Sequence, residues 1–231
     1  TIRDINRDCD WALPDEEARH GRTVLRLATG NRIRLIDGAG RVGEAVVVQV
    51  DRQALRCRLE QVAEPPRSVA AQLQVAVCPP KGPRFTDLVR QLAELGVGRL
   101  LPLVSQRAER RPQLQRARRV AIEAAKQSGQ AHLLEVTEVV DFATFAPGVD
   151  GHILLDPDGE PALRLAASAP PTPTTLIVGP EGGFTQAERR QLLDAGARPG
   201  RLAASILRIE TAAVAAAAVW IAAWEQHVVH R

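Results

Sequence analysis

The sequence contains no methionine and no tyrosine, and it has only three tryptophans and four phenylalanines among 231 residues. So few aromatic side chains argue against a platform on which single-stranded bases stack. The longest apolar run, residues 212–224, is 13 residues long and mostly alanine, which is too short to cross a bilayer. We therefore expect a globular protein without a membrane span, and the first residues lack the basic-then-apolar pattern of a secretory signal.

Cysteine and histidine are also scarce, and their spacing predicts no metal site. Cys9, Cys57 and Cys78 include no CxxC pair, and their odd number is unlike a disulfide framework. The five histidines show no spacing typical of metal ligands. Because unpaired cysteines are typical of a reducing compartment, we expect the protein to act in the cytoplasm.

Lysine is nearly absent, so the positive charge is almost entirely arginine. Residues 81–132 hold 11 Lys and Arg against four Asp and Glu, whereas residues 133–231 hold seven against 12. Six arginines lie within 13 residues: Arg107, Arg110, Arg111, Arg116, Arg118 and Arg119. Such a cluster can bind phosphates and attract a polyanion. A solvated helix face is the alternative, and charge alone does not separate the two.

The first third of the chain has the pattern of a small β-domain. Four short runs rich in Val, Leu and Ile are predicted strands: residues 22–27, 32–37, 43–50 and 54–62. Tight breaks such as DGAG at residues 37–40 separate them, which predicts a small barrel over residues 1–67. Two prolines at residues 65–66 indicate a linker, since consecutive prolines resist both helix and sheet.

After the linker, predicted strands and helices alternate. Strands are expected at residues 73–78, 99–104, 152–156 and 174–178 and near Leu202. Helices are expected at residues 85–95, 112–128 and 211–228, and from a capping box at Thr185 and Glu188 to Gly196. Pro112 would lie in the first turn of its helix. The alternation predicts an α/β domain over residues 68–231, with a mostly parallel sheet and helices on both faces.

The last predicted helix begins with small residues and contains Trp220 and Trp224. Small residues permit close helix approach, and a monomer that exposed so much apolar surface would risk aggregation. We therefore expect this helix to lie in an interface between two copies of the chain. Burial within its own sheet is the alternative.

Three loops follow predicted strands and precede predicted helices: residues 154–157, 177–185 and 205–212. Ligands of such sheets bind where the strands end. The second loop contains GPEGG at residues 179–183, where glycine lets a ligand approach the backbone, although a simple tight turn is the alternative. It lacks the Lys-Ser/Thr of a P-loop and the spacing of a GxGxxG dinucleotide motif.

These loops resemble the paired motifs of a known family. VGPEGGF at residues 178–184 and ILRIETA at residues 206–212 are similar to motifs of the RsmE-type methyltransferases. That family methylates N3 of a uridine in small-subunit ribosomal RNA. KGPR at residues 81–84, EAAKQSG at residues 123–129 and VLRL at residues 24–27 resemble further segments of the family in the same order. The resemblance covers nearly the whole chain.

The resemblance implies an N-terminal PUA-like β-barrel that binds RNA, followed by a SPOUT α/β domain with a C-terminal trefoil knot. It also implies a homodimer, S-adenosyl-L-methionine (SAM) as cofactor, and 16S ribosomal RNA or the small ribosomal subunit as partner. The expected cofactor-binding residues are Leu155, Gly179, Glu181, Gly182, Leu202, Ile206 and Leu207. Core packing is the alternative for the leucines, and we expect Phe184 to be a packing residue.

Glu181, Glu210 and Arg208 are the catalytic candidates. Because N3 of uracil carries a proton at neutral pH, the site must remove that proton or stabilise the resulting anion. Either glutamate is a candidate base, whereas Arg208 keeps its proton and would hold a phosphate or stabilise negative charge on a uracil oxygen. An ion pair between Arg208 and one of the glutamates is the alternative.

RNA contacts are expected from basic residues in the matched segments and in the arginine cluster: Arg26, Lys81, Arg84, Arg107, Arg116, Arg118 and Arg119. Two other functions remain open at this point. A non-catalytic RNA-binding protein would have lost cofactor binding, which the intact loops count against. A knotted methyltransferase could act on another RNA nucleotide, which the N-terminal VLR motif counts against less strongly.

Overall fold

The computed structural model describes residues 10–52, 54–108, 111–168 and 170–229. Cys9, Arg110 and His230 lie outside these ranges. The chain divides into two units, one of residues 1–67 with 129–132 and the other of residues 68–128 with 133–231. Among the described residues, no helix combines the length and the apolar character needed to cross a membrane.

The described residues of the first unit form one helix and a four-stranded antiparallel sheet. Its elements are β1 (Asp10–Ala12), α1 (Asp15–Thr23), β2 (Arg32–Ile36), β3 (Val42–Val50) and β4 (Leu55–Ala63). The strand order is β1-β4-β3-β2. Alternate residues of β4, namely Leu55, Cys57 and Leu59, are buried, because successive side chains of a strand point to opposite faces. The strands predicted from residue 32 onward in this unit are confirmed.

The strand predicted over residues 22–27 is wrong. Helix α1 extends to Thr23, and Arg26 has a φ of 51°, the left-handed conformation in which helices often end. Val24 and Leu25 are 64% and 58% exposed, so these apolar side chains belong to neither a strand nor a core.

A short distant segment packs into the first unit. The amide of Gly40 donates a hydrogen bond to the carbonyl of Ala131 at 3.1 Å, and His132 forms β-bridges with Gly38 and Ala39. Gly40 has a φ of 121°, and a Cβ there would lie 2.6 Å from Nε2 of His132. Only glycine meets both constraints at this turn.

The second unit is built on a seven-stranded sheet whose paired strands are all parallel. Its elements are β5 (Leu73–Val77), α2 (Arg84–Glu94), β6 (Arg99–Val104), α3 (Leu114–Ser128), β7 (Glu135–Val136), β8 (Val140–Asp141), α4 (Phe142–Phe145), β9 (Ile153–Pro161), α5 (Ala162–Ala167), β10 (Thr174–Val178), α6 (Gln186–Asp194), β11 (Arg198–Arg201) and α7 (Ile209–Val229). The strand order is β11-β9-β10-β5-β6-β7, with β8 paired to β6. The predicted parallel α/β domain is confirmed. Helix α3 begins at Leu114, so Pro112 precedes the helix and does not lie in its first turn.

Both faces of this sheet are covered, as expected. Leu176 and Val178 of β10 belong to a large core with apolar residues of α2, α3, α5 and α7. Ile177, between them, points to the opposite face and packs with Phe142 of α4 and Leu192 of α6.

The tryptophans of α7 are buried within their own chain. Trp220 and Trp224 are 2% and 1% exposed in the single chain and belong to the large core. Helix α7 packs against α2, α5, β5 and β10. The expectation that Trp220 and Trp224 lie in an interface between two copies of the chain is therefore wrong. Burial against the chain's own sheet accounts for both side chains.

Candidate functional site

A cavity of about 960 Å³ opens where three neighbouring strands of the parallel sheet, β10, β9 and β11, present their connecting segments. All seven predicted cofactor residues line it: Leu155, Gly179, Glu181, Gly182, Leu202, Ile206 and Leu207. Arg84 and Arg208 line it as well, whereas Glu210 does not. The structure thus gathers loops that are far apart in sequence into one pocket, as the rule for parallel sheets predicts.

The first wall of the cavity comes from the middle of strand β9. In the pairing with β11, Leu154 lies opposite Pro199 and Glu160 lies opposite Gly200, so residues 155–159 loop out between two paired segments. The prediction placed the end of this strand at residue 156, but pairing resumes and continues to Pro161. The bulge presents Leu155 to the cavity.

The GPEGG loop forms the second wall. The amide of Gly183 donates to the carbonyl of Pro180 at 2.8 Å, and Gly183 has a φ of 68°, so the loop is also a tight turn. A Cβ on Gly179 would lie 3.0 Å from the ring of Phe184. Phe184 packs against Phe142 with ring centroids 5.6 Å apart, which confirms its predicted packing role.

The capping box after this loop is confirmed and does more than cap a helix. Oε2 of Glu188 accepts the amide of Thr185 at 2.9 Å, and Oε1 accepts the amide of Gln106 at 2.8 Å. Arg107 then donates to the carbonyl of Gly182 at 2.7 Å. The segment after β6 is therefore tied to the GPEGG loop. The capping pattern predicted the local bond, whereas the bonds from Gln106 and Arg107 had no signal in the sequence.

Arg84, at the start of α2, contacts both candidate glutamates. Its Nη2 atom lies 3.1 Å from Oε1 of Glu181, and its Nη1 atom lies 3.9 Å from Oε1 of Glu210. The ion pair considered for Arg208 is thus made by Arg84. Among the described residues, Arg208 makes no ion pair and is exposed on the cavity wall.

Glu210 is held in a different environment from Glu181. Its side chain is 19% exposed against 49% for Glu181, and its Oε2 atom is buried with no hydrogen-bond partner among the described residues. Glu210 lies in the first turn of α7, where the helix dipole favours a negative charge.

A second ion pair at the cavity was not among the predicted site residues. Asp156 is buried, and its Oδ2 atom accepts a 2.5 Å hydrogen bond from Nε of Arg189, which raises the pKa of that guanidinium. Both residues line the cavity together with the exposed Asp158. Asp156 stood in a predicted loop, but nothing in the sequence indicated its partner.

Cys78, which follows β5, is unsuited to act as a nucleophile. Burial raises the pKa of its thiol to about 11, so the thiol stays protonated at neutral pH. The thiol donates to Oγ of Ser105 at 3.5 Å. No group of side chains that could hold a metal ion occurs in the described ranges.

The side chains of the predicted RNA-binding residues differ in exposure and in their contacts. Arg116 and Arg119 of α3 are exposed, as are Lys81 and, in the first unit, Arg26. Arg118 instead donates to the carbonyl of Val136 at 3.0 Å and pairs with Glu138 at 2.6 Å.

Comparison with known proteins identifies the family. The RNA methyltransferase domain matches residues 67–221, and the RNA methyltransferase PUA domain matches residues 13–60. The chain belongs to this RNA methyltransferase family. It is 31% identical over 216 residues to a Ribosomal RNA small subunit methyltransferase E of Synechocystis, covering 89% of this chain and 71% of that protein. The expected membership of the RsmE-type methyltransferases is thereby confirmed.

Two solved structures of methyltransferases share the fold. A Legionella pneumophila protein in complex with the bound cofactor SAM is 27% identical, with a TM-score of 0.85 over 95% of this chain and 94% of that one. Ribosomal RNA small subunit methyltransferase E of Neisseria gonorrhoeae, bound to S-adenosyl methionine, is 24% identical, with a TM-score of 0.85 over 96% and 94% of the two chains. The second comparison supports the fold alone.

Proposed function

We propose that this protein transfers a methyl group from SAM to N3 of a uridine in 16S ribosomal RNA, in the cytoplasm. The observation that supports this most is the cavity at the strand ends, which is lined by all seven expected cofactor residues and by the exposed Arg208. The name of the Synechocystis relative indicates the small-subunit ribosomal RNA as the substrate class.

The cavity fits the proposed cofactor. Its volume of about 960 Å³ leaves room for a nucleoside and part of a substrate base. Gly179 and Gly182 line it. At Gly179 a side chain is disfavoured, because a Cβ would lie 3.0 Å from the ring of Phe184. Leu155, Leu202 and Leu207 would hold the adenine between apolar walls. SAM, when bound, supplies a methyl group on a sulfonium, which makes positioning of the uridine the main task of the protein.

The protein's own residues would handle charge on the uracil. Glu181 lines the cavity and is half-exposed, so it can reach a substrate proton more readily than Glu210, which is 19% exposed and does not line the cavity. We assign Glu181 as the base, and we assign Arg208 to stabilise negative charge on a uracil oxygen. Glu210 would hold the loops in place by its interaction with Arg84.

We also propose the features of the family that concern architecture. The four-stranded sheet of the first unit would form part of a PUA-like barrel that binds RNA, and the segment around β11 and α7 would thread the trefoil knot. A homodimer would complete the RNA site. Dimer contacts would involve the exposed face of α7, which contains Ala218 and Ala222, because both tryptophans are used inside the chain.

The proposed function is tested by mass mapping of 16S ribosomal RNA from a strain that lacks the gene. One uridine should lose a single methyl group, and the wild-type gene should restore it. An unmodified nucleotide in another RNA would favour a different substrate, and an unchanged RNA mass map would contradict the methyltransferase assignment.

The exposed arginines of α3 give a second test. Replacing Arg116 and Arg119 with glutamine should weaken RNA binding. The slope of log K against log salt should become shallower by about one to two units, because RNA binding releases fewer counterions when phosphate contacts are lost. Arg118→Gln is the matched comparison and should change the slope less, since Val136 and Glu138 occupy its guanidinium. Unaltered slopes for the double variant would restore the interpretation of a solvated helix face.

A further inference from the structure

We propose that Arg84 is a positioning residue whose guanidinium clasps the GPEGG loop to the first turn of α7 and so shapes the cofactor cavity before SAM binds. This inference rests on the proposed function and replaces the RNA contact expected of Arg84. It assigns separate tasks to Arg84 and Arg208, which both line the cavity.

The contacts of Arg84 join three segments that are distant in sequence. Nη2 lies 3.1 Å from Glu181 of the GPEGG loop, and Nη1 lies 3.9 Å from Glu210 at the start of α7. Nε donates to the carbonyl of Lys81 at 3.3 Å, in the turn that precedes α2. A planar guanidinium presents donors in several fixed directions, so one side chain can hold three partners at once.

The backbone of Arg84 is fixed on the core. Gly82, with a φ of 67°, turns the chain after β5, and α2 begins at Arg84 itself. The next residue, Phe85, is 4% exposed, and Leu88, one turn on, is fully buried. These two anchors hold the first turn of α2 against the sheet. The guanidinium therefore starts from a rigid support, which is what a positioning residue needs.

Charge explains why the loops depend on Arg84. Glu181 and Glu210 both approach one guanidinium, so without it two like charges would lie close together, one in the GPEGG loop and one in the first turn of α7. Repulsion would then move the GPEGG loop or the start of α7. Arg208 cannot take over, because it is exposed and makes no ion pair within the described part of the chain.

The same geometry leaves little of Arg84 for a phosphate. Its side chain is 34% exposed and its three nitrogens face protein oxygens, whereas Arg116 and Arg119 are exposed residues of α3. A phosphate could bind Arg84 only in competition with Glu181. We therefore expect its removal to change SAM binding and to leave the salt dependence of RNA binding unaltered.

The experiment measures the Kd of SAM by calorimetry without RNA, on the full chain. Arg84→Gln should raise this Kd about tenfold or more, because displaced walls no longer present the cavity in its binding geometry. The Kd of Arg84→Lys should lie between those of the wild type and Arg84→Gln, since one ammonium group keeps the charge but cannot bridge both carboxylates. Arg90→Gln, on the same helix with an exposed partner in Asp87, is the matched control and should bind like wild type.

Two further measurements distinguish the bridging role of Arg84 from a general loss of stability. Glu210→Gln should weaken SAM binding in the same direction but by less than Arg84→Gln, because it leaves the contact between Arg84 and Glu181 in place. The effect of the double variant should be smaller than the sum of the two single effects, because both variants remove the contact between Arg84 and Glu210. The salt slope of RNA binding should be unchanged in Arg84→Gln. If Arg84→Gln does not fold by circular dichroism, Arg84→Lys and Glu210→Gln decide the question.

Several results would contradict the proposed bridging role of Arg84. Wild-type SAM affinity in Arg84→Gln, or in both Arg84→Lys and Glu210→Gln, would rule it out, and a salt slope shallower by about one unit would restore the phosphate contact. Failure of the wild-type protein to bind SAM would instead contradict the proposed function, and the clasp with it.

Discussion

Replacing Arg208 with alanine should slow methyl transfer about 100-fold or more while leaving the Kd of SAM little changed. Arg208 is exposed on the cavity wall and makes no ion pair among the described residues, so its guanidinium is free to meet a substrate. Negative charge develops on the uracil when N3 loses its proton, and a fixed cation stabilises that charge mainly in the transition state. Single-turnover rates with saturating SAM would measure the loss directly.

Two variants make the test of Arg208 specific. Arg208→Lys should retain part of the activity, because it keeps the charge but not the planar set of donors. Arg198→Ala removes an exposed arginine of β11 that does not line the cavity, and its rate should match wild type. If Arg208→Ala transferred methyl groups at the wild-type rate, the stabilising role would have to belong to another group.

The position of the cofactor cavity could be predicted because it depends on local patterns and one general rule. The apolar run at Thr174–Val178 and the capping box at Thr185 fix a strand and a helix, with the GPEGG loop between them. Parallel strands bring such loops to one edge of the sheet. The patterns and this rule brought the three loops together, whereas the assignment of Gly179, Leu155 and Leu207 to a cofactor site came from the resemblance to the RsmE-type methyltransferases. All three residues line the cavity.

The partners of the charged residues could not be predicted in the same way. Arg84 meets Glu181 because β5 and β10 are neighbours in the sheet, and it meets Glu210 because α2 packs against α7. No sequence spacing records either contact. The strand predicted over residues 22–27, where α1 ends, was wrong for a different reason. Val24 and Leu25 resemble strand residues, but they remain exposed beside Arg26 in a left-handed turn, so local composition gave the wrong element.

Replacing Trp224 with glutamate should unfold the protein and not yield a folded monomer. Removing a large buried aromatic side chain costs about 3–5 kcal/mol, and an unpaired buried carboxylate adds to that cost. Domains of this kind have about 5–15 kcal/mol of stability in total, so most of it would be lost. Trp224 is 1% exposed in the single chain. Thermal melts followed by circular dichroism would show the loss of the transition.

Conservative variants separate the packing of Trp224 from its polar atom. Nε1 of Trp224 is buried with no hydrogen-bond partner among the described residues, so Trp224→Phe removes a donor that stabilises nothing. Trp224→Phe should lower the free energy of unfolding much less than Trp224→Ala does. Glu225→Gln, at the next and exposed position of α7, should melt like wild type. A cooperative melt of Trp224→Glu near the wild-type temperature would contradict the burial of this side chain.

The proposed homodimer therefore needs a variant on the exposed face of α7. Ala222 is exposed two residues before Trp224, and an arginine there would block close approach of a second helix without entering the core. Ala222→Arg should melt like wild type but elute as a monomer in light-scattering measurements, with slower methyl transfer if a partner subunit completes the RNA site. A wild-type protein that is already monomeric at micromolar concentration would contradict the dimer, and the buried tryptophans show why no aggregation would follow.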